Sequence, residues 1–214
     1  MITLWGRRSS SNVQAVMWCL AELGLACERK DAGHIYGVVN TADYLAINPN
    51  GTIPTLIDGH YPPIWESGAI LRYLASAYAP PGFWPHERIE RAYVDMWAEW
   101  AKINFAMKFT GQIFWALVRT PPSRRDPAAI LAAVKIIDKT LDIAEQQLEG
   151  RFFLAGDTFT LADIQFGHCL YRYFDIPIER PERPNLKRYY AALTERSAFL
   201  HHVMVDYDEL RAAD

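Results

Sequence analysis

Asn48-Pro49-Asn50-Gly51-Thr52-Ile53-Pro54, followed by Thr55-Leu56-Ile57-Asp58-Gly59 and by Ile64-Trp65-Glu66-Ser67, packs a loop, two strands and a helix start into twenty residues. Asn50-Gly51 calls for a tight turn with positive φ, and Ile53 before Pro54 is driven to an extended conformation at a strand's start. Pro54 to Ile57 reads as a strand, Asp58-Gly59 as a turn, and Tyr61 to Trp65 as the returning strand of a hairpin. Ser67 to Tyr78 then has helical spacing, with Ile70, Leu71, Leu74 and Ala77 on one side and Ser67 placed as N-cap. A trans Ile53-Pro54 bond is the default. A cis bond would turn the Ile53 N–H and C=O toward a peptide-like ligand.

Outward from this stretch, the preceding residues read as a βαβ unit. Ile2 to Trp5 is β-prone and ends at Gly6. Val13, Val16, Met17, Leu20 and Leu23 recur at helical spacing up to Gly24, and Ala26 to Lys30 is extended again. Such a unit implies parallel strands joined by a right-handed crossover. A short helical turn is expected over Thr41 to Ile47. Pro80-Pro81-Gly82 breaks the chain and marks a domain boundary, giving an α/β domain over residues 1–79 and an all-helical one over 87–214.

The second half is helical almost throughout. Arg88 to Val118 is one long aromatic-rich helix or two, and Asp126-Pro127 opens the next with an N-cap and a first-turn proline. Ile130, Val134, Ile137, Leu141, Ala144 and Leu148 form a core-facing stripe before Gly150. Thr160-Leu161-Ala162-Asp163 is a capping box, and its nearly apolar helix belongs at the buried centre of this domain. Pro184-Asn185 introduces one more helix.

Composition narrows the function classes. Half of the 214 residues are apolar, so the chain is globular, and a net charge of −3 exerts no general pull on nucleic acid or anionic membrane. No apolar run approaches the ~18 residues of a membrane span. Cys19, Cys27 and Cys169 form no CxxC pair and have no metal-ligand spacing with histidine, so no metal is expected. An odd cysteine count of this kind fits a reducing cytoplasm, and Cys19 and Cys169 read as small core residues.

Three segments can carry chemistry. Ser9-Ser10-Ser11-Asn12 lies between the first strand and first helix, where it either caps the helix or holds an anion at its N-terminus. The Asn48 to Pro54 loop either is an ordinary connection or presents its backbone to a peptide. Glu66-Ser67 either caps the following helix or receives a ligand's ammonium and carboxylate.

Taken together, Gly6-x-x-x-Ser10, Asn48-Pro49-Asn50-Gly51-x-Ile53-Pro54, and Glu66-Ser67 with Ile70-Leu71-x-Tyr73-Leu74 resemble the glutathione S-transferase family. Phe153 to Asp157 followed by Thr160 to Asp163, and the later Arg183 to Arg196 segment, are similar too, so the resemblance spans essentially the whole chain. It implies a thioredoxin-like N-terminal domain, an all-α C-terminal domain, a cytoplasmic homodimer and glutathione as co-substrate. The match is nearest the serine-type branches, of theta, phi or nu kind. Ser10 then sits at the sulfur, with Ser9 and Ser11 as rivals one residue away, and Asn12 beside it. Ile53, next to a cis Pro54, pairs its backbone with the cysteinyl part, and Glu66 and Ser67 hold the γ-glutamyl group. Thr52 stands where many relatives have Lys, Arg or Gln, which implies either a modest affinity for glutathione or a contact to the glycyl carboxylate from Asn40 or His34 instead.

The resemblance further implies that a small-molecule electrophile sits between the Trp5-to-Ser10 loop and the long helix. Most of that helix's aromatic residues should be packing, and Asn104, Lys108 and Phe109 are the expected exposed subset. An aromatic pocket suits apolar electrophiles. The alternatives are a glutathione-dependent disulfide or peroxide reductase or isomerase, and a non-catalytic protein that stores hydrophobic ligands.

Overall fold

The computed structural model describes residues 1–213. The first part is a mixed four-stranded sheet in the order β2-β1-β3-β4, built from β1 (Ile2–Trp5), β2 (Cys27–Lys30), β3 (Thr55–Asp58) and β4 (Ile64–Trp65). β1 and β2 run parallel, with Ile2 opposite Cys27 and Trp5 opposite Lys30, and helix α1 (Ser11–Glu22) connects them. β3 is antiparallel to β1, pairing Ile2 with Asp58, and β4 is antiparallel to β3, pairing Thr55 with Trp65. The returning strand is shorter than the spacing from Tyr61 predicts. Pro62 and Pro63 have no N–H to give a ladder, so pairing starts only at Ile64.

Helices α2 (Ala42–Ile47) and α3 (Ser67–Tyr78) complete this part. Thr41 caps α2 by accepting from the Tyr44 N–H. The turn between β1 and α1 is set by Gly6, at φ +148°. A Cβ there would stand 2.4 Å from Val13 Cγ2 and 3.3 Å from Ile53 Cβ. Only glycine lets the β1–α1 turn lie this close to the Ile53 loop, and that closeness brings the two chemical segments together.

The second part begins with α4 (Arg88–Trp100), capped by Glu87, which accepts from the Ile89 and Glu90 N–H groups. The helical path continues through two π-helical stretches, Ala101–Ala106 and Phe109–Phe114, into α5 (Trp115–Val118). Then follow α6 (Pro127–Gln147), α7 (Leu161–Gly167), α8 (Leu170–Asp175), α9 (Pro184–Thr194) and α10 (Ser197–His202). The Asp126 cap and the Thr160–Asp163 capping box are both formed, and every residue of α7 is buried. The Asp163 carboxylate accepts from the Leu154 N–H at 2.8 Å, the Thr160 N–H at 2.8 Å and the Tyr189 hydroxyl at 3.0 Å. Those bonds tie α7 to its entry loop and to α9.

One apolar core runs through both parts, from Leu4, Trp18 and Leu71 on one side to Phe105 and Phe166 on the other. The two parts meet closely at Gly167, where a Cβ would meet Leu193 at 2.7 Å and the Trp18 ring at 2.9 Å. Trp18 from α1 thus reaches into the helical part, and the two parts pack without a gap there. Among the described residues no helix is long and apolar enough to cross a membrane, and no cluster of His, Cys, Asp or Glu could hold a metal ion.

Candidate active site

The N-terminus of α1, the N-terminus of α3 and the loop before β3 open on one cleft of about 410 Å³. Ser10, Asn12, Thr52, Ile53, Pro54, Glu66 and Ser67 all line it. Seven positions chosen from three separate stretches of sequence are therefore neighbours in space.

Of the three serines, Ser10 alone lines the cleft. The Ser9 hydroxyl donates to Glu209 in the C-terminal segment. Ser11, the first residue of α1, is buried and does not line the cleft. Ser10 is the N-cap of α1 by backbone conformation (φ −82°, ψ 122°), yet its hydroxyl makes no capping bond. The hydroxyl and the positive end of the α1 dipole face the cleft together, an arrangement suited to an anion.

The Ile53–Pro54 bond is cis. Ile53 N–H and C=O are bonded to no other main-chain group among the described residues, so both can pair with a peptide laid along the cleft. The loop is fixed from behind. Tyr44 Oη donates to the Thr52 carbonyl at 2.7 Å, Asn48 Nδ2 donates to the same oxygen at 2.9 Å, and Asn48 also bonds Thr55 Oγ1 at 3.0 Å. Asn48 is fully buried, which explains why an amide is needed at the head of this loop.

At the other end, Glu66 takes the N-cap position of α3 and Ser67 the first helical one, a shift of one residue from the predicted cap. Glu66 has φ +67°, a conformation that costs a non-glycine residue about 1–3 kcal/mol. The Ser67 hydroxyl is buried and accepts from Lys102 Nζ at 2.9 Å, and the same ammonium donates to Asn12 Oδ1 at 2.7 Å. Burial lowers the Lys102 pKa, with the neighbouring Glu66 and Glu99 carboxylates acting in the opposite sense. A carboxylate-accepting helix start, a buried cation and an exposed acid thus stand side by side, as a zwitterionic amino-acid group requires.

The residues expected from the long helix are placed differently. Phe109 is fully buried, stacked on Phe105 with centroids 5.6 Å apart. Lys108 bonds Asn104 at 3.1 Å, and neither lines the cleft. The two π-helical stretches insert extra residues per turn, so the phase of this helix departs from a 3.6-residue count. Lys102, bonded to Asn12 and Ser67, and Trp115, which lines the cleft, stand at the site in place of the expected Asn104, Lys108 and Phe109. Lys102 and Lys108 are the two lysines in the aromatic run from Trp97 to Phe109, and only the phase of the helix separates the one that reaches the cleft from the one that does not. His34 also lines the cleft and Asn40 does not, while Arg7 brings a basic side chain that the motif itself lacks.

The chain's own thiols are poor nucleophiles. Cys19 and Cys169 are buried, and burial pushes both pKa values up, while Cys27 is pushed up to about 11 by the same cause.

Comparison with known proteins agrees with this geometry. Residues 1–76 match the glutathione S-transferase N-terminal domain model, and residues 127–192 match the C-terminal domain model. Glutathione S-transferase GstB of Escherichia coli K12 is 41% identical over 206 residues, covering 96% of this chain and 99% of that one. Glutathione S-transferase 3 of Zea mays is 34% identical, covering 92% and 91%. The theta class glutathione S-transferase of Xanthomonas axonopodis pv. citri, solved with glutathione bound, superposes with a TM-score of 0.90 at 43% identity, covering 96% and 98%. Glutathione transferase F2 of Populus trichocarpa gives 0.84 at 26% identity, covering 95% and 97%. The chain belongs to the glutathione S-transferase family.

Proposed function

We propose that the cleft binds glutathione and turns its thiol into the nucleophile that attacks a small electrophile, with domain limits at 1–79 and 87–214. Glu66 receives the γ-glutamyl ammonium, while Ser67, Lys102 and the α3 N-terminus receive its carboxylate. Ile53 pairs with the cysteinyl backbone beside Pro54, and Thr52 flanks the glycyl end. This orientation carries the sulfur to Ser10. With its Oδ1 held by Lys102, Asn12 keeps its amide N–H groups for the same sulfur. The reading is supported above all by the uncommitted Ser10 hydroxyl at the head of α1, in a cleft whose far end matches a zwitterion.

A thiol of pKa ~8.5 is mostly protonated at neutral pH. A charge-assisted bond from Ser10 contributes about 1.5–3 kcal/mol and the helix dipole about 0.3–1 kcal/mol to the thiolate. At about 1.36 kcal/mol per tenfold, this brings the bound thiol near or below neutrality. The proton leaves to water, the thiolate forms the new carbon–sulfur bond, and the leaving group departs with its electron pair. The raised pKa values of all three cysteines argue against a reductase that cycles a thiol of the chain itself. A reducing cytoplasm and a homodimer complete the proposal.

Retention on immobilised glutathione and conjugation of a chloronitrobenzene test the binding and the chemistry in turn. Ser10→Ala should lower kcat/KM about tenfold or more at neutral pH and much less at alkaline pH, where the thiol ionises unaided. Equal loss at both pH values would contradict thiolate stabilisation by this hydroxyl.

A further inference from the structure

A second recess, of about 430 Å³, adjoins the glutathione cleft and shares Arg7 and His34 with it. Its remaining wall comes from Arg119, just beyond α5, and from Glu209 to Ala212 of the C-terminal segment. The Nε atoms of Arg7 and Arg119 are both buried there and have no hydrogen-bond partner among the described residues. The carboxylate facing Arg7, that of Glu209, stays 4.0 Å from its Nε. It is already engaged by two hydroxyls, Ser9 on one oxygen and Tyr36 on the other at 3.2 Å. Arg211 is neutralised by Asp208 at 2.6 Å.

The recess therefore holds two guanidinium groups against one carboxylate. By contrast, Arg72, Arg183 and Arg196 each hold a carboxylate oxygen at 2.8 Å or less. A partly buried guanidinium left without its hydrogen bonds is costly, and its planar fork matches a carboxylate. Burial lowers the pKa of Arg7, with the Arg119 charge acting the same way, and burial lowers that of Arg119. His34 is shifted down by burial and by the charges of Arg119 and Arg7, so it adds no cation of its own.

The recess begins at the turn that carries Ser10, whose N–H donates to the Arg7 carbonyl at 3.2 Å. The Arg119 guanidinium lies over the Trp115 ring, 5.3 Å from its centroid, and Trp115 lines the cleft. An aromatic electrophile can lie along Trp115 with its far end at the arginines.

We infer that this recess takes a carboxylate of the second substrate, so that the enzyme favours electrophiles bearing an anionic group over neutral isosteres. This rests on the glutathione reading above and deepens it. In the reaction the thiolate forms a bond to the carbon bearing the halogen, and halide leaves with the bonding electrons while the carboxylate stays unchanged. Arg7 and Arg119 position the substrate and take no part in bond making.

The test compares 4-chloro-3-nitrobenzoate with 4-chloro-3-nitrobenzamide, each kcat/KM divided by its uncatalysed rate with glutathione. The wild-type enzyme should favour the carboxylate by about tenfold or more, as a charge-assisted contact implies. Arg119→Gln should erase most of that ratio, and Arg119→Lys should restore part of it, which separates charge from packing. A wild-type ratio near one overturns the inference. So does an Arg119→Gln enzyme that keeps the ratio while its KM for glutathione rises, because the guanidinium then serves the tripeptide's own glycyl carboxylate. Failure of the glutathione reading looks different: the wild-type protein then neither binds immobilised glutathione nor conjugates either compound.

Discussion

At the scale of single residues, the site depends on side chains whose usual duties have been left undone. Ser10 sits where a serine caps a helix and makes no cap bond, and Glu66 holds a backbone conformation that disfavours it. Lys102 is the third case, a largely buried ammonium with two neutral oxygens as its hydrogen-bond partners. Burying a cation in that way is costly, and in the proposed binding mode the γ-glutamyl carboxylate at Ser67 would be the anion that hydrogen-bonds it. Lys102→Met should therefore raise KM for glutathione about tenfold to a hundredfold, the range of a lost charge-assisted contact, with a smaller change in kcat. Steady-state kinetics with glutathione as the varied substrate read this directly. An unchanged KM would remove Lys102 from the tripeptide site. Sequence pattern could reach Ser10, Ile53, Glu66 and Ser67 because each stands at an element boundary, where turn and cap chemistry restrict residue type. Lys102 lies mid-helix, and only the packing of α4's continuation against α1 and α3 gives it a role.

At the scale of elements, the boundaries legible in the sequence are those written in local chemistry. α3 spans Ser67–Tyr78 as its apolar spacing predicts, and the α6 stripe from Val134 to Leu148 is buried as read. The long helix was less legible, since its π-helical stretches arise from packing and shift the register that periodicity assumes. Helix α7 supplies a titration at this scale. His168, just past its end, is buried, donates from Nδ1 to the Ile164 carbonyl at 3.1 Å, and leaves Nε2 unpartnered. Burial, aided by the Lys102 charge, holds its pKa down at about 3. Its folded pKa is thus depressed below the unfolded value of ~6.5, so between the two the unfolded chain binds more protons. The stability it gives is complete above ~6.5 and is lost as pH falls toward its folded pKa, by about 2 kcal/mol on reaching pH ~5. Asp163, raised to about 6 by burial, has the opposite slope in part of this window. It is present in wild type and His168→Asn alike and cancels in their difference. Urea unfolding of the two proteins should show the wild-type advantage shrinking by about that amount between neutral pH and pH ~5. A constant difference would mean that His168 titrates normally in the native state, and an advantage that grows toward pH ~5 would mean that it is already charged there.

At the scale of the whole molecule, the core closes over both halves yet leaves one helix face uncovered. Ile89 (74% exposed), Met96 (51%), Ile103 (52%) and Met107 (60%) recur along α4 and its continuation, with Tyr93 (39%) between the first two. They are separated by steps of four, three, seven and four residues, and monomeric proteins seldom expose an apolar row of this extent. Arg72 from α3 flanks the row with ion pairs to Asp95 and Glu99, at 2.8 Å and 2.6 Å, a polar rim beside an apolar strip. A two-fold axis would set this face against its own copy and bury both strips at once, because an isologous interface needs one self-complementary patch. The protein should therefore sediment at twice its 24.5 kDa chain mass. The double substitution Met96→Glu with Met107→Glu places four acids at the proposed contact and should shift the species to the single-chain mass at micromolar concentration. Since the strip lies apart from Ser10, Glu66 and Ser67, retention on immobilised glutathione reports whether the separated subunits keep their cleft. A wild-type chain that sediments as a monomer at about 10 μM would show that the strip does not hold a second copy at that concentration.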